Sequence, residues 1–171
     1  EKGNDVFVTD KDPIRLTNIS QCNIPFYEPG LDNLVIECLV ERRLIFSESI
    51  SKVVDQSDVV FLTVGTPQLK DRNEVDLSQV REAVSEIEDA VGRTEDYKII
   101  VVKSTVPPGT TTDIGLRMSS HVPKGNFSVV LLQSPRVWGL ILALSQNNPL
   151  LPARIFLVLP DFLLMQPKHL Q

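Results

Sequence analysis

Asp10 closes the run Val6-Phe7-Val8-Thr9, a β-branched and aromatic stretch that reads as a buried strand followed by a turn. A carboxylate is an acceptor-only group, and at the C-terminal end of a strand in a doubly wound sheet it suits the two hydroxyls of a ribose. An aspartate after a strand is also a turn former or helix cap, and on local grounds that plainer role has the better claim. Arg15, one helical turn on, reaches the same side of such a site or stands as a solvated helix arginine. Val64-Gly65-Thr66-Pro67 ends a second apolar run. Gly65 lets a ligand approach the backbone and Thr66 offers a hydroxyl and an N–H to a phosphate, although a plain Gly-Pro turn accounts for the segment equally well. Ser104-Thr105-Val106-Pro107-Pro108-Gly109 ends the next long run in the same manner. Ligands of open α/β sheets bind outside the carboxyl ends of the strands, so two hydroxyl-bearing strand ends on one edge point to a site there.

Other reactive groups are sparse. Cys22 and Cys38 form no CxxC, and neither a disulfide framework nor a metal site follows from them. Cys38 falls on the apolar stripe of a predicted helix and is expected in the core, while Cys22 falls in a loop with no base beside it. His121 and His169 lack ligand spacing and are expected at the surface, and no metal is expected. Tyr27 and Glu28 are expected in a loop that packs on the domain. A net charge of −5, with no run of lysines and arginines, argues against a nucleic-acid backbone or an anionic membrane as the main partner.

The strand ends need a scaffold, and the spacing of apolar residues supplies one. A helix is predicted from about Pro13, and after the loop signals Asn23, Pro25, Pro29 and Gly30 a second follows, with Leu31, Leu34, Val35, Cys38 and Leu39 on one stripe. Leu44 to Phe46 is a short strand and Ile50 to Gln56 a short helix. Val59 to Val64 and Ile99 to Val102 are apolar without alternation, the mark of strands buried on both faces. Asp76 with Gln79 three residues later predicts a capping box, ahead of Leu77, Val80, Val84, Ile87 and Val91 at helical spacing and a stop at Gly92. A helix over about Thr111 to Met118 and a strand over Phe127 to Leu131 complete the series. Strands alternating with helices predict an α/β fold with a parallel sheet. The balance of 42% apolar and 23% charged residues is that of one ordinary globular domain.

That domain is expected to span residues 1–131. Between Leu132 and Gln171 only Arg136, Arg154, Asp161 and Lys168 are charged, glutamate is absent, and five prolines interrupt any helical period. Residues 132–171 are therefore expected to be a divergent Leu/Pro-rich tail outside the fold. Their apolar runs fall below the ~18 residues of a membrane span. The start, Glu1-Lys2-Gly3-Asn4-Asp5, has no apolar signal region and reads as a cut edge.

Three strings in this order, Ile24-Pro25-Phe26-Tyr27-Glu28-Pro29-Gly30-Leu31, Val64-Gly65-Thr66-Pro67 and Val102-Lys103-Ser104-Thr105-Val106-Pro107-Pro108-Gly109-Thr110-Thr111, resemble the N-terminal NAD-binding domain of UDP-glucose and GDP-mannose dehydrogenases. The resemblance covers roughly residues 3 to 131. It implies an NAD cofactor, a nucleotide-sugar substrate and, for the full-length family, a cytoplasmic homo-oligomer. By position, Asp10 and Arg15 match family residues that contact the adenosine ribose and its surroundings. Val64 and Gly65 lead to Thr66, which matches a cofactor-contacting threonine. Thr105 matches a threonine that contacts NAD and helps organise the water near the reacting carbon.

The same resemblance marks what has no counterpart. The family begins with a strand and a GxGxxG turn that holds the pyrophosphate. Here no two of the eight glycines are two residues apart, so the expected fold is an incomplete Rossmann-type doubly wound sheet lacking the first strand and glycine-rich loop. The family's Asn-Pro-Glu-Phe-Leu segment is replaced by Ser134-Pro135-Arg136-Val137-Trp138, and its nucleophilic cysteine has no match. Pro-Arg-Val-Trp can be encoded CCC CGA GTT TGG, which shifted by one base contains CCC GAG TTT for Pro-Glu-Phe, so the tail is expected to be out-of-frame sequence. The implied reaction oxidises the primary alcohol of a UDP-glucose-like sugar to the uronic acid in two hydride transfers through a cysteine thiohemiacetal. This chain would be its partial cofactor domain, inactive alone and weak for NAD. The rivals are a non-catalytic remnant and another Rossmann-like module such as a methyltransferase; the Ser104-Thr105 strand end argues against the latter.

Overall fold

The computed structural model describes residues 4–25, 27–69, 74–122, 126–132 and 154–158. Each apolar run read as a strand forms one: β1 (Asp5–Thr9), β2 (Leu44–Phe46), β3 (Val59–Leu62), β4 (Lys98–Val102) and β5 (Phe127–Leu131). Between them lie α1 (Pro13–Ser20), α2 (Leu31–Val40), α3 (Ile50–Gln56), α4 (Ser78–Val91) and α5 (Thr110–His121). A sixth strand, β6 (Arg154–Val158), enters from the tail. All ladders are parallel, in the order β2-β1-β6-β3-β4-β5.

The chain winds outward one way from β1 to β2 and the other way from β3 through β4 to β5, which makes the fold doubly wound. One face of the sheet carries the main core. Phe7, Val60, Leu62, Ile100 and Val102 pack there against Val53 and Val54 of α3, the Val80-Val84-Ile87-Val91 stripe of α4, and Ile114 and Met118 of α5. The other face buries Val59, Phe61, Val101 and Leu132. The expectation that β3 and β4 are enclosed on both sides therefore holds, with every residue of β3 at most 2% exposed. At about 1.5–3 kcal/mol for each fully buried Val, Leu, Ile or Phe, these two strands anchor the sheet.

Two expectations need correction. Cys38 is only partly buried, because α2 has no fully buried residue and leaves Ile36 and Val40 exposed. Tyr27 does not pack on the domain but is 84% exposed. Residues 132–171 were expected to lie outside the family fold, and within them Arg154–Val158 pairs with β1 on one side and β3 on the other. Its run Ile155-Phe156-Leu157-Val158 has the composition that a strand with neighbours on both sides requires. Leu132 is also fully buried. Ser134 to Trp138 and His169 lie outside the described residues, and no described helix is long and apolar enough to cross a membrane.

The expected capping box does not form, because α4 starts at Ser78 with Leu77 as its N-cap and no side-chain cap. Asp76 Oδ1 accepts the Ser78 N–H at 2.8 Å, but the Asp76 N–H donates to Pro67 O rather than to a Gln79 side chain. The Ser78 backbone N–H, then its hydroxyl, hold the Asp76 carboxyl below the usual aspartate range. A depressed folded value contributes stability that is present above the unfolded value and lost as pH falls through the folded one. An NMR titration is expected to show Asp76 titrating lower than an aspartate in a short peptide, and Ser78→Ala, which keeps the N–H, is expected to remove only part of the difference.

Lys98 is the fold's least expected feature, a lysine 1% exposed at the start of β4. Its Nζ donates to Ser57 O at 2.8 Å and Asp55 O at 3.3 Å, and lies 3.8 Å from Asp96 Oδ2. These carbonyls end α3, where a cation is favoured by the helix dipole. Lys98→Met keeps the stem and deletes the donors, and is expected to cost about 1–3 kcal/mol. The urea midpoint should fall at unchanged m-value; an unchanged midpoint would show that the carbonyls find other partners.

Candidate functional site

The carboxyl ends of β1 and β3 and the starts of α3 and α4 enclose a cleft of about 240 Å³. Thr9, Asp10 and Lys11 line it from β1, Val64 from the turn after β3, Glu48 and Ile50 from the entry to α3, and Gln79, Glu82, Ala83 and Glu86 from α4. The α4 residues are those left facing the strand ends when its apolar stripe is packed down. Sites for whole ligands run to about 300–1,000 Å³, so this cleft is sized for one end of a dinucleotide. Four carboxylates, Asp10, Glu48, Glu82 and Glu86, meet one lysine among the lining residues. Such a lining suits hydroxyls and amines, and repels a phosphate.

Asp10 is held tightly. Its Oδ1 accepts the Asp12 N–H at 2.8 Å and its Oδ2 the Arg15 Nη1 donor at 2.6 Å, with the Asp10 side chain 1% and that of Arg15 6% exposed. Asp12 in turn caps α1, accepting from the Ile14 and Arg15 N–H groups. Strand end, turn and first helical turn are thus locked by three side chains. The plainer role of Asp10, a turn former, is therefore realised. A carboxylate offers about four acceptor positions, and two are engaged here, so capacity for hydroxyls remains.

A second cluster lies at the ends of β3 and β4. The Ser104 hydroxyl donates to Val64 O at 2.7 Å, while the Lys103 and Ser104 N–H groups both donate to Leu62 O. Ser104, itself 7% exposed, ties the two hydroxyl-bearing strand ends side by side. Gly65 is buried there, Thr66 partly exposed and Thr105 exposed. Thr63 Oγ1, at the end of β3, is buried and has no hydrogen-bond partner among the described residues. A buried hydroxyl left unpaired costs about 1–3 kcal/mol, so it marks a position that a ligand's polar group would suit. Beyond it, Gly109 caps α5 at φ 92°, a conformation that favours glycine.

Of the residues singled out from sequence, the structure brings Asp10 and Val64 into one cleft. Arg15 supports the cleft from behind through Asp10, and Gly65, Thr66 and Thr105 stand on the same sheet edge without lining it. Glu48, Glu82 and Glu86 were missed. The α4 pair follows from the helical period, because both sit off its apolar stripe, but nothing local tells which off-stripe residues meet the strand ends. Cys22, at φ 62°, follows the end of α1 and so lies toward the opposite edge of the sheet. Among the described residues no group of histidines, cysteines and carboxylates is arranged to hold a metal.

The model of the UDP-glucose/GDP-mannose dehydrogenase family, NAD binding domain, matches residues 1–137. UDP-glucose 6-dehydrogenase of Rhizobium meliloti is 36% identical over 128 residues, 75% of this chain and 29% of that protein. UDP-glucose 6-dehydrogenase TuaD of Bacillus subtilis is 36% identical over 138 residues, 79% of this chain and 28% of that protein. The chain thus spans less than a third of the curated relatives it matches. In fold it resembles GDP-mannose dehydrogenase of Pseudomonas aeruginosa, with a TM-score of 0.73 at 22% identity over 92% of this chain and 41% of that one.

The buried pair sets the stability of this edge. Breaking such a pair by removing one partner costs about 3–5 kcal/mol, because a charge stays buried alone. Arg15→Met is expected to lose that much in urea unfolding, and Asp10→Asn added to it is expected to recover part. Equal stability of Arg15→Met and the parent would show that the pair does not hold the turn.

Proposed function

From the premise that the chain belongs to the UDP-glucose/GDP-mannose dehydrogenase family as an NAD-binding domain, we propose that it forms the cofactor half of an enzyme oxidising a UDP-linked sugar to its uronic acid. The observation that carries this reading is the joined pair of polar strand ends, Val64-Gly65-Thr66 and Ser104-Thr105, beside a carboxylate-lined cleft at the point where the chain's winding reverses. The relatives' names support the sugar: two curated proteins similar over this stretch are UDP-glucose 6-dehydrogenases.

The residues fit NAD from its adenosine end. Asp10 keeps acceptor positions for the ribose hydroxyls, the remaining carboxylates suit the adenine amine, and Arg15 positions Asp10. Thr66 and Thr105 would meet the cofactor further along the edge, with Thr105 supporting the reacting end, and the Thr63 hydroxyl would gain a partner there. NAD, when bound, supplies a hydride acceptor. Ser104 keeps the two turns at fixed separation. The nucleotide-sugar substrate and a cytoplasmic location belong to the same proposal, the latter in keeping with the unpaired thiols of Cys22 and Cys38.

The carboxylate lining decides between cofactors. A 2′-phosphate would meet Asp10 and the glutamates, so calorimetry is expected to register NAD in the millimolar range and no heat for NADP. NADP binding as tightly as NAD would contradict the assignment of this cleft to the adenosine ribose. Neither described cysteine lies on the strand-end edge, so the chain alone is expected to form no NADH from UDP-glucose. Sustained NADH production would require a nucleophile other than the one the family resemblance implies.

A further inference from the structure

The strand order of a doubly wound dinucleotide fold is 3-2-1-4-5-6. Counting β1 to β5 here as its second to sixth strands turns the observed order, β2-β1-β6-β3-β4-β5, into 3-2-x-4-5-6. The place of the first strand is taken by Arg154–Val158, the last described strand in the sequence and a central one in space. Asp5 to Thr9 run opposite Arg154 to Val158, and Val59 to Leu62 opposite Ile155 to Val158, both in parallel.

No other ladder joins the two halves of the described sheet: β1 pairs with β2 and β6, and β3 with β4 and β6. Strands lie about 4.7–4.9 Å apart, so the space between β1 and β3 is one strand wide and presents backbone donors and acceptors from both sides. Because β3 is buried on both faces, water cannot satisfy those groups. The occupant must be extended, parallel, apolar on both faces and free of proline within the paired run. Ile155-Phe156-Leu157-Val158, the run opposite β3, meets these terms, with Arg154 opposite Asp5 at its start and Pro152 and Pro160 outside it.

We propose that the gap between β1 and β3 is a strand-acceptor site, which binds a parallel five-residue segment with an apolar run of four, and that Arg154–Val158 is its exchangeable occupant. The ladder is between residues near opposite ends of the chain, and such long-range pairing forms only after the local units on either side. Any first strand offered from elsewhere competes for the same backbone groups and must displace β6. The inference does not depend on cofactor binding.

Hydrogen exchange on the full chain tests it. In the parent, the amides of Ile155 to Leu157 are expected to exchange as slowly as those of Ile100 and Val101. In Phe156→Pro, amides of Val6 to Val8 and Val60 to Leu62 are expected to exchange faster by about 100-fold or more. The synthetic peptide Ala-Arg-Ile-Phe-Leu-Val-Leu, added to that variant, is expected to restore slow exchange, and the same peptide with proline for phenylalanine is not. Fast exchange of β6 in the parent, unchanged protection in Phe156→Pro, or failure of the peptide to restore it, including in a variant that unfolds throughout, overturns the proposal.

Discussion

Val59, Val60, Phe61 and Leu62 are all but removed from solvent, and a backbone so enclosed must give its N–H and C=O groups to strands on both sides. The architecture follows from meeting that demand. β4 satisfies one side and β6 the other, β6 passes the requirement on to β1, and the parallel registers bring the carboxyl ends of β1, β3 and β4 to a common edge. Only there can Asp10, Val64 and Ser104 meet. The site is a consequence of how the central strands are paired.

At that edge two kinds of interaction divide the work. Short-range bonds, from Asp12 to the first N–H groups of α1 and from Ser104 to Val64 O, fix the shape of the turns. The Asp10–Arg15 pair holds the first turn by a larger energy, because both side chains are buried and either would be uncompensated without the other. The glutamates of α3's entry and α4 add a negative field at little structural cost, since they face the open cleft. Four carboxylates against one lysine at that cleft make a field that disfavours a phosphate and leaves acceptors for hydroxyls.

Much of this was legible in the sequence where the signal is local. The apolar runs of β3 and β4, the 3.6-residue stripe of α4 and the proline turn before α5 appear where their patterns place them. Pairing across the sheet was not legible. Ile155 to Val158 is as apolar a run as Val59 to Leu62, but only the space between β1 and β3, a property of the assembled sheet, reveals that it has a place there. Lys98 reads as the polar flank of a strand, and its burial depends on α3 ending over it. Cys38 and Tyr27 carry apolar or aromatic character that promises packing, yet nothing described covers α2 or that loop closely enough to bury them. Asp10 and Arg15 meet in a buried ion pair, an arrangement that neither the strand-end aspartate nor the helix arginine announces locally.

Whether NAD is met at the strand-end edge, where the winding reverses, is read by amide chemical-shift mapping. With NAD titrated into the 15N-labelled protein, progressive shifts are expected at Thr9 to Lys11, at Val64 to Thr66 and at Thr105, and none at Lys98 or Phe127 on the opposite edge. Shifts centred on that opposite edge, or a spectrum unmoved at saturating NAD, would contradict it.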